Sequence, residues 1–220
     1  MKYQAVIFDF DYTLGDSTEG IVTSVTYGLQ KLGHNFVSRE AICKTIGFSL
    51  KEIYCSLTGK ESEEETEKFE KYFREKADQV MVANTNLFSD TIHVLHKLKA
   101  QKVKIGIVTT KYHYRMDAIL EKCQATSYID NIIGVEDVKV PKPNPEGVLK
   151  LLASWNLHQN QVLYVGDSIV DAKTAEAAGV DFAGVTTGTT SREELEGYPH
   201  IGVYQNLDAL QKNLEEAGKL

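Results

Sequence analysis

Short apolar runs alternate with amphipathic stretches along this chain. Ala5-Val6-Ile7-Phe8 reads as a buried strand, and runs of the same kind recur at Val103–Val108, Ile132-Ile133, Val162–Val165, Val180–Val185 and, more weakly, Ile201–Tyr204. Between them the apolar positions take a helical spacing. One such stretch covers 91–100, with Ile92, Leu95 and Leu98 on one face, and others cover 114–123, 145–155, 169–178 and 207–216. Buried strands that alternate with helices predict a parallel sheet covered on both faces. Right-handed crossovers make this an α/β, Rossmann-like, doubly wound fold.

One stretch breaks the alternation. From Asp16 to Val82 the pattern is helical throughout, with Ile21, Val25, Leu29 and Leu32 in one stripe and Phe69, Phe73, Ala77 and Val80 in another. Roughly 65 residues are too many for a simple crossover. The segment 16–82 therefore reads as an inserted helical cap, and 1–15 with 83–220 as the Rossmann-like core. The Glu-rich run 61–67 reads as a solvated helix face, because lysines and an aromatic stripe follow it at helical spacing.

Composition narrows the function classes. The chain has 220 residues, of which 42% are hydrophobic and 25% charged, enough to bury a core without staples. Its net charge of −7 disfavours broad binding to nucleic acid or anionic membranes. No run approaches the apolar length of a membrane helix, and early charges at the N-terminus read against a signal peptide. Cys43, Cys55 and Cys123 are odd in number and lack CxxC spacing, which reads against a disulfide framework or zinc site and for a reducing cytoplasm, with Cys43 and Cys55 as inert thiols.

Four groups carry candidate chemistry, each near the predicted C-terminal end of a strand, where open α/β sheets place their ligands. Asp9-Phe10-Asp11-Tyr12-Thr13-Leu14 puts two carboxylates two residues apart, suited to a metal ligand or nucleophile, although a DxD turn also caps helices. Val108-Thr109-Thr110-Lys111 offers a hydroxyl and backbone amides to an oxyanion, and equally fits a helix start. Val140-Pro141-Lys142-Pro143-Asn144-Pro145 holds three of the chain's four prolines around one lysine, a stiff backbone that preorganises a cation. Val165-Gly166-Asp167-Ser168-Ile169-Val170-Asp171 brings two more acids to a strand tip, as hard-cation ligands or as complements to a helix dipole.

In chain order these groups read DxDxT, a threonine, a lysine and GDxxxD. The combination resembles the haloacid dehalogenase-like hydrolase superfamily over essentially the whole chain. The helical insert, Asp16-Ser17, the segment 142–147 and Gly166-Asp167-Ser168 resemble its phosphoglycolate phosphatase and β-phosphoglucomutase branch, and Ile46-Gly47-Phe48-Ser49-Leu50 resembles that branch's substrate-facing cap loop.

The resemblance implies a Mg²⁺-dependent phosphatase of a small phosphorylated metabolite. Asp9 would be the nucleophile that forms an aspartyl-phosphate, and Asp11 the general acid and then base. Thr109 and the amide of Thr110 would hold phosphoryl oxygens, and Lys142 would neutralise Asp9 and the phosphate. Mg²⁺ would be held by Asp9, the backbone carbonyl of Asp11, and Asp167, with Asp171 ordering Lys142 or a water on the metal from behind. Gly47, Phe48 and Lys51 would meet the leaving group, on a cap hinged near Gly15-Asp16 and Asn84-Thr85. The implied partner is a small-molecule phosphate ester, without nucleic acid or membrane, and the implied state a monomer or weak homodimer.

Two positions depart from the pattern: Tyr12 stands where the family most often has glycine, and Thr110 where many relatives have asparagine. Asp11 argues against the dehalogenases and phosphonatases, which lack it. Ile21 stands where β-phosphoglucomutases carry a histidine, which favours hydrolysis over mutase chemistry. Pyrophosphatase and nucleotidase activities stay open. A phospho-aspartate receiver module is disfavoured, since there the acceptor ends the third strand and no insert interrupts the first crossover. His93, His96, His113, Ser191-Arg192-Glu193-Glu194 and Trp155 read as surface, helix-start, capping and core residues.

Overall fold

The apolar run that opens the chain forms strand β1, Ala5–Phe8, and all four residues are buried. In the computed structural model, which describes residues 2–34 and 36–219, β1 lies inside a six-stranded sheet. The other strands are β4 (Lys104–Val108), β5 (Asn131–Ile133), β6 (Val162–Gly166), β7 (Asp181–Val185) and β8 (Gly202–Tyr204). Their order is β5-β4-β1-β6-β7-β8 and every pairing is parallel. The chain builds outward from β1 through β4 and β5, then returns to the other side for β6, β7 and β8. Order therefore reverses beside β1, and the loops that follow β1, β4 and β6 converge at one edge.

The strands carry apolar side chains on both faces because helices cover both. Ala5 and Ile7 register with Val162 and Tyr164, and Tyr164 with Phe182. These residues share a core with Val148, Leu151 and Trp155 of α7 (Glu146–Trp155) and Ala172 and Ala175 of α8 (Ile169–Ala178). Helices α5 (Thr91–Ala100) and α10 (Leu207–Glu216) bury Leu95, Leu98, Leu210 and Leu214, and α6 (His113–Lys122) buries Met116 and Ile119. The buried side of α5 is formed by Thr91, Val94, Leu95 and Leu98, while Ile92 is only half-buried. The short helix α9 (Arg192–Glu196) starts at the capping box of Ser191 and Glu194.

The chain divides into two units, Met1–Asp16 with Leu87–Leu220, and Ser17–Asn86. The boundaries fall one and four residues beyond those expected from the apolar pattern. Two strands of two residues each, β2 (Gly15–Asp16) and β3 (Asn86–Leu87), pair where the chain passes between units. The second unit is helical: α1 (Thr18–Lys31), α2 (Arg39–Cys43), α3 (Leu50–Thr58) and α4 (Glu63–Val80). Its core joins Ile21, Val25 and Leu29 of α1 to Phe69, Phe73 and Ala77 of α4, with Tyr54 against Phe69 at 5.5 Å between ring centroids. Leu32 and Val80, at the ends of the two stripes, are half-buried. Glu63, Glu64 and Glu65 occupy the first turn of α4, where acids complement the helix dipole.

Candidate active site

Asp9 and Asp11 follow β1, Thr109 and Lys111 follow β4, and Asp167 follows β6, all on the convergent edge of the sheet. Lys142 joins them from the proline loop that precedes α7, where the Lys142–Pro143 peptide is cis. All six side chains are buried. Chain sections some 150 residues apart thus meet because a parallel sheet gathers the ends of its central strands.

Lys142 is the centre of the arrangement. Its Nζ donates to Asp9 Oδ1 at 2.7 Å and to Asp171 Oδ1 at 2.8 Å. Burial works against the ammonium, but Asp171 and Asp9 outweigh it and hold the Lys142 pKa well above its usual value. Asp171 is fully buried and both of its oxygens are engaged. Oδ1 also accepts from the Tyr164 hydroxyl at 3.2 Å, and Oδ2 accepts from the Ser168 hydroxyl at 2.6 Å and the Ser168 amide at 3.2 Å. Ser168 caps α8 in return. Asp171 is therefore a helix-cap partner of Ser168 and the anchor of Lys142 at once.

The first loop presents its carboxylates differently. Asp9 is tied to Lys142, and its amide donates to Val165 of β6 at 2.9 Å. Asp11 Oδ2 accepts from Lys111 Nζ at 2.7 Å, while Asp11 Oδ1 is buried with no hydrogen-bond partner among the described residues. Tyr12 takes a left-handed backbone, φ 59°. A glycine would adopt this freely, and a bulky side chain there costs on the order of 1–3 kcal/mol. The conformation is pinned from both sides: the Tyr12 amide donates to the Gly15 carbonyl at 2.8 Å, and the Thr187 hydroxyl donates to the Tyr12 carbonyl.

Asp167 accepts from Thr13 Oγ1 at 3.3 Å. The loop after β7 presses its backbone against it, since a β-carbon on Gly188 would collide with Asp167 Oδ2. Thr109 Oγ1 accepts the Lys111 amide at 3.2 Å, which leaves the hydroxyl proton for an acceptor outside the described contacts. Thr110 is half-buried beside it, and Tyr112, not a threonine, is the N-cap of α6.

These residues fit a hard divalent cation. One carboxylate oxygen each from Asp9, Asp167 and Asp171 lies within 4.8 Å of the others. Both oxygens of Asp171 are already engaged, so Asp9 and Asp167 are the carboxylates of this group left to hold a cation. The composition of the cluster agrees: four buried carboxyl groups, Asp9, Asp11, Asp167 and Asp171, face two buried lysines, Lys111 and Lys142, an excess of acid that a divalent cation would balance. Burial, then Asp171 and Asp11 against the opposing pull of Lys142, pushes the Asp9 carboxyl up to about 7. Burial, Asp171 and Asp9 likewise push Asp167 well above the usual carboxylate range.

A stability prediction follows from those directions. The folded protein holds protons on Asp9 and Asp167 that the unfolded chain releases from about 3.8 upward. Their contribution to stability is complete below that pH; the part due to Asp9 is lost as pH rises through about 7, and the part due to Asp167 is lost in the same direction. In chelator, the melting temperature should fall between about pH 5 and pH 8, at roughly 2–4 °C per kcal/mol lost. Millimolar Mg²⁺ should flatten the fall. Identical profiles with and without Mg²⁺ would mean that this cluster does not hold the cation.

The remaining predicted residues lie in the second unit. Gly47 ends a turn after α2 with φ 96°, a backbone that favours glycine; Phe48 is half-buried, Ser49 caps α3, and Lys51 is exposed on its first turn. Ile21 is buried in the core of that unit. His93 and His96 are exposed, and His113 begins α6. Three contributors had no assigned role in the sequence: Lys111, named only as the end of the segment 108–111; Tyr164, hidden in an apolar strand; and the Thr187-Gly188 loop, whose only signal is its place after a strand.

Comparison with known proteins gives the arrangement a family. The model of the haloacid dehalogenase-like hydrolases matches residues 6–185. Pyrophosphatase PpaX of Bacillus cereus is 28% identical over 198 residues, covering 90% of each chain. A relative bearing the phosphatase name IndB, from Dickeya dadantii, is 32% identical over 86% of this chain and 84% of its own. A crystal structure from Bacteroides fragilis, named for the same hydrolases, superposes with a TM-score of 0.93 at 42% identity, covering 95% of this chain and 100% of that one. With the match spanning both units and every residue of the buried acid and lysine cluster, this chain belongs to the haloacid dehalogenase-like hydrolases.

Proposed function

We propose that this chain is a phosphatase that hydrolyses a small phosphorylated metabolite, with Mg²⁺ in the acidic cluster and Asp9 as the nucleophile. The observation that carries the reading is the pairing of roles within three residues. Asp9 is bound to a buried lysine, and Asp11 beside it keeps one buried oxygen without a partner among the described residues. A nucleophile needs its charge offset before it can approach a phosphate dianion, whereas a proton carrier needs a lone pair left open for the group it serves.

The residues support a two-step displacement. An oxygen of Asp9 forms a bond to phosphorus as the bond to the leaving oxygen breaks. The electron pair leaves on that oxygen, which takes a proton from Asp11. Asp11, now ionised, accepts a proton from water, whose oxygen attacks phosphorus; the Asp9–phosphorus bond breaks, and the carboxylate and free phosphate are restored. Lys142 stays between Asp9 and Asp171 and offsets charge in both steps. The Thr109 hydroxyl and the Thr110 amide suit two phosphoryl oxygens. When bound, the divalent cation would supply neutralisation of the phosphoryl and carboxylate oxygens that Lys142 cannot provide alone.

No helix of the described residues is long and apolar enough to cross a membrane. A cytoplasmic enzyme acting on a soluble small molecule, as a monomer or weak homodimer, accords with this reading and with the negative charge of the chain.

Phosphate release from a panel of phosphate esters and pyrophosphate, each with Mg²⁺ or with chelator, tests it. Catalytic release that depends on Mg²⁺ is expected for at least one small metabolite. Stoichiometric uptake of a single phosphoryl group without turnover would support a receiver-like module instead, and no release from any compound would end the phosphatase reading.

A further inference from the structure

Lys111 is the one buried cation of the cluster that the two-step displacement does not use. Lys142 is shared between two carboxylates, whereas Lys111 gives Nζ to a single acceptor, Asp11 Oδ2 at 2.7 Å. An ammonium has three N–H donors, and no other acceptor for this one stands among the described residues. Its remaining surroundings are apolar on at least one side, with the Phe10 ring centroid 5.9 Å from Nζ. Its backbone is fixed too, through the bond of its amide to Thr109 Oγ1 at 3.2 Å. The lysine is thus held in a buried position beside the phosphate-facing threonine with most of its hydrogen-bonding capacity unspent.

Position decides what it serves. The leaving-group oxygen of any substrate must come within hydrogen-bond reach of Asp11, and Asp11 Oδ1 is the open oxygen. Lys111 sits on the other oxygen of the same carboxylate. An atom one or two bonds beyond a leaving oxygen that approaches Oδ1 from the side of Lys111 therefore comes within hydrogen-bond reach of the ammonium. If that atom belongs to a carboxylate or a second phosphate, it supplies the acceptors that Lys111 lacks. A neutral alkyl or aryl group in the same place supplies none.

We propose that Lys111 is a specificity residue of the core, and that it selects leaving groups bearing an anionic group one or two bonds from the scissile oxygen. Pyrophosphate, whose leaving group is itself phosphate, and 2-phosphoglycolate, whose leaving group is a 2-hydroxy carboxylate, both belong to this class. The proposal rests on the phosphatase reading and names its substrate class. A hydrogen bond between charged partners in a buried site contributes about 1.5–3 kcal/mol, or roughly 10- to 150-fold in a rate or binding constant.

The experiment compares 2-phosphoglycolate with propyl phosphate, which replaces the carboxylate by an ethyl group of similar size, and pyrophosphate with phenyl phosphate. Wild type should favour the anionic member of the first pair by more than tenfold in kcat/KM. Lys111→Met should lower all four, because Asp11 loses its cation, and should lower the anionic members by about 30-fold more, chiefly through KM. Lys111→Arg should retain the preference. If Lys111→Met does not fold, Lys111→Gln and the wild-type preference carry the same comparison. Equal losses on both members of each pair, or a wild-type preference for propyl phosphate, would overturn the role of Lys111 while leaving the phosphatase reading standing. No phosphate from any of the four compounds or from the wider panel would overturn both.

Discussion

Asp9→Asn is expected to abolish turnover, by about 10⁴-fold or more, while leaving the fold at least as stable as wild type in the absence of divalent cation. The two effects have opposite signs for one physical reason. Asp9 is buried among acids, and its carboxyl is pushed up to about 7, so its negative charge is a cost to the folded state that only Lys142 offsets. An amide of the same shape removes that charge, and Lys142 keeps Asp171 as its partner at 2.8 Å. The amide also has no nucleophilic oxygen for phosphorus. Phosphate release and thermal melting in chelator, measured on the same preparation, check both halves. A variant that is inactive because it is unfolded would lose both together.

Lys142→Met should damage activity and stability together. The substitution leaves Asp9 and Asp171, both buried, facing each other without the ammonium that now lies 2.7 and 2.8 Å from them. Removing one member of a buried ion cluster costs about 3–5 kcal/mol, because the remaining charges stay desolvated and unpaired. At roughly 2–4 °C per kcal/mol, the melting temperature should fall by about 10 °C. Turnover should fall by about 10³-fold, since an unneutralised Asp9 repels a phosphate dianion. Adding Asp171→Asn to Lys142→Met should restore much of the stability and none of the activity. The double variant separates the two roles of the lysine, because stability depends on the total charge of the cluster and catalysis on a cation at one place.

Much of the fold was legible in the order of residues. Ala5–Phe8, 91–100, 169–178 and 207–216 are bounded as the apolar spacing predicts, because the strand is an unbroken apolar run buried on both faces and each helix buries a well-defined face. The paired strands β2 and β3 left no trace, since two residues cannot show a period and their pairing is set by the return of a chain section 70 residues later. The same two strands account for the shift in the insert's boundaries. On α5 the spacing marked Ile92, yet Thr91 and Val94 are the buried positions; Thr91 is drawn inward by its hydroxyl bond to the Leu14 carbonyl at 2.7 Å, a contact across the fold.

The site was legible where chemistry repeats in a fixed spacing and hidden where it depends on tertiary approach. Asp9 and Asp11 announce themselves as a pair after a strand, and Lys142 by the prolines around it. Lys111 gives no such sign. A lysine before a helix normally faces solvent, and only the convergence of β1 and β4 buries this one against Asp11. Tyr164 sits in the run Val-Leu-Tyr-Val-Gly, where a tyrosine passes for a core residue, and its hydroxyl reaches Asp171 only because β6 and α8 pack together. Tyr12 shows the converse. Its departure from glycine was visible, but the left-handed backbone that gives glycine its advantage there became evident only from φ 59° and the Thr187 bond that holds it.

The central claim is that Asp9 carries the phosphoryl group through the reaction. Acid quenching during steady turnover with Mg²⁺, followed by mass analysis of the peptide that contains both Asp9 and Asp11, tests it most directly. The peptide should gain the mass of one phosphoryl group, with fragmentation placing it on Asp9, and the gain should be absent from Asp9→Asn. Turnover with no modified peptide, or with the phosphoryl group on Asp11 or any other residue, would contradict the account.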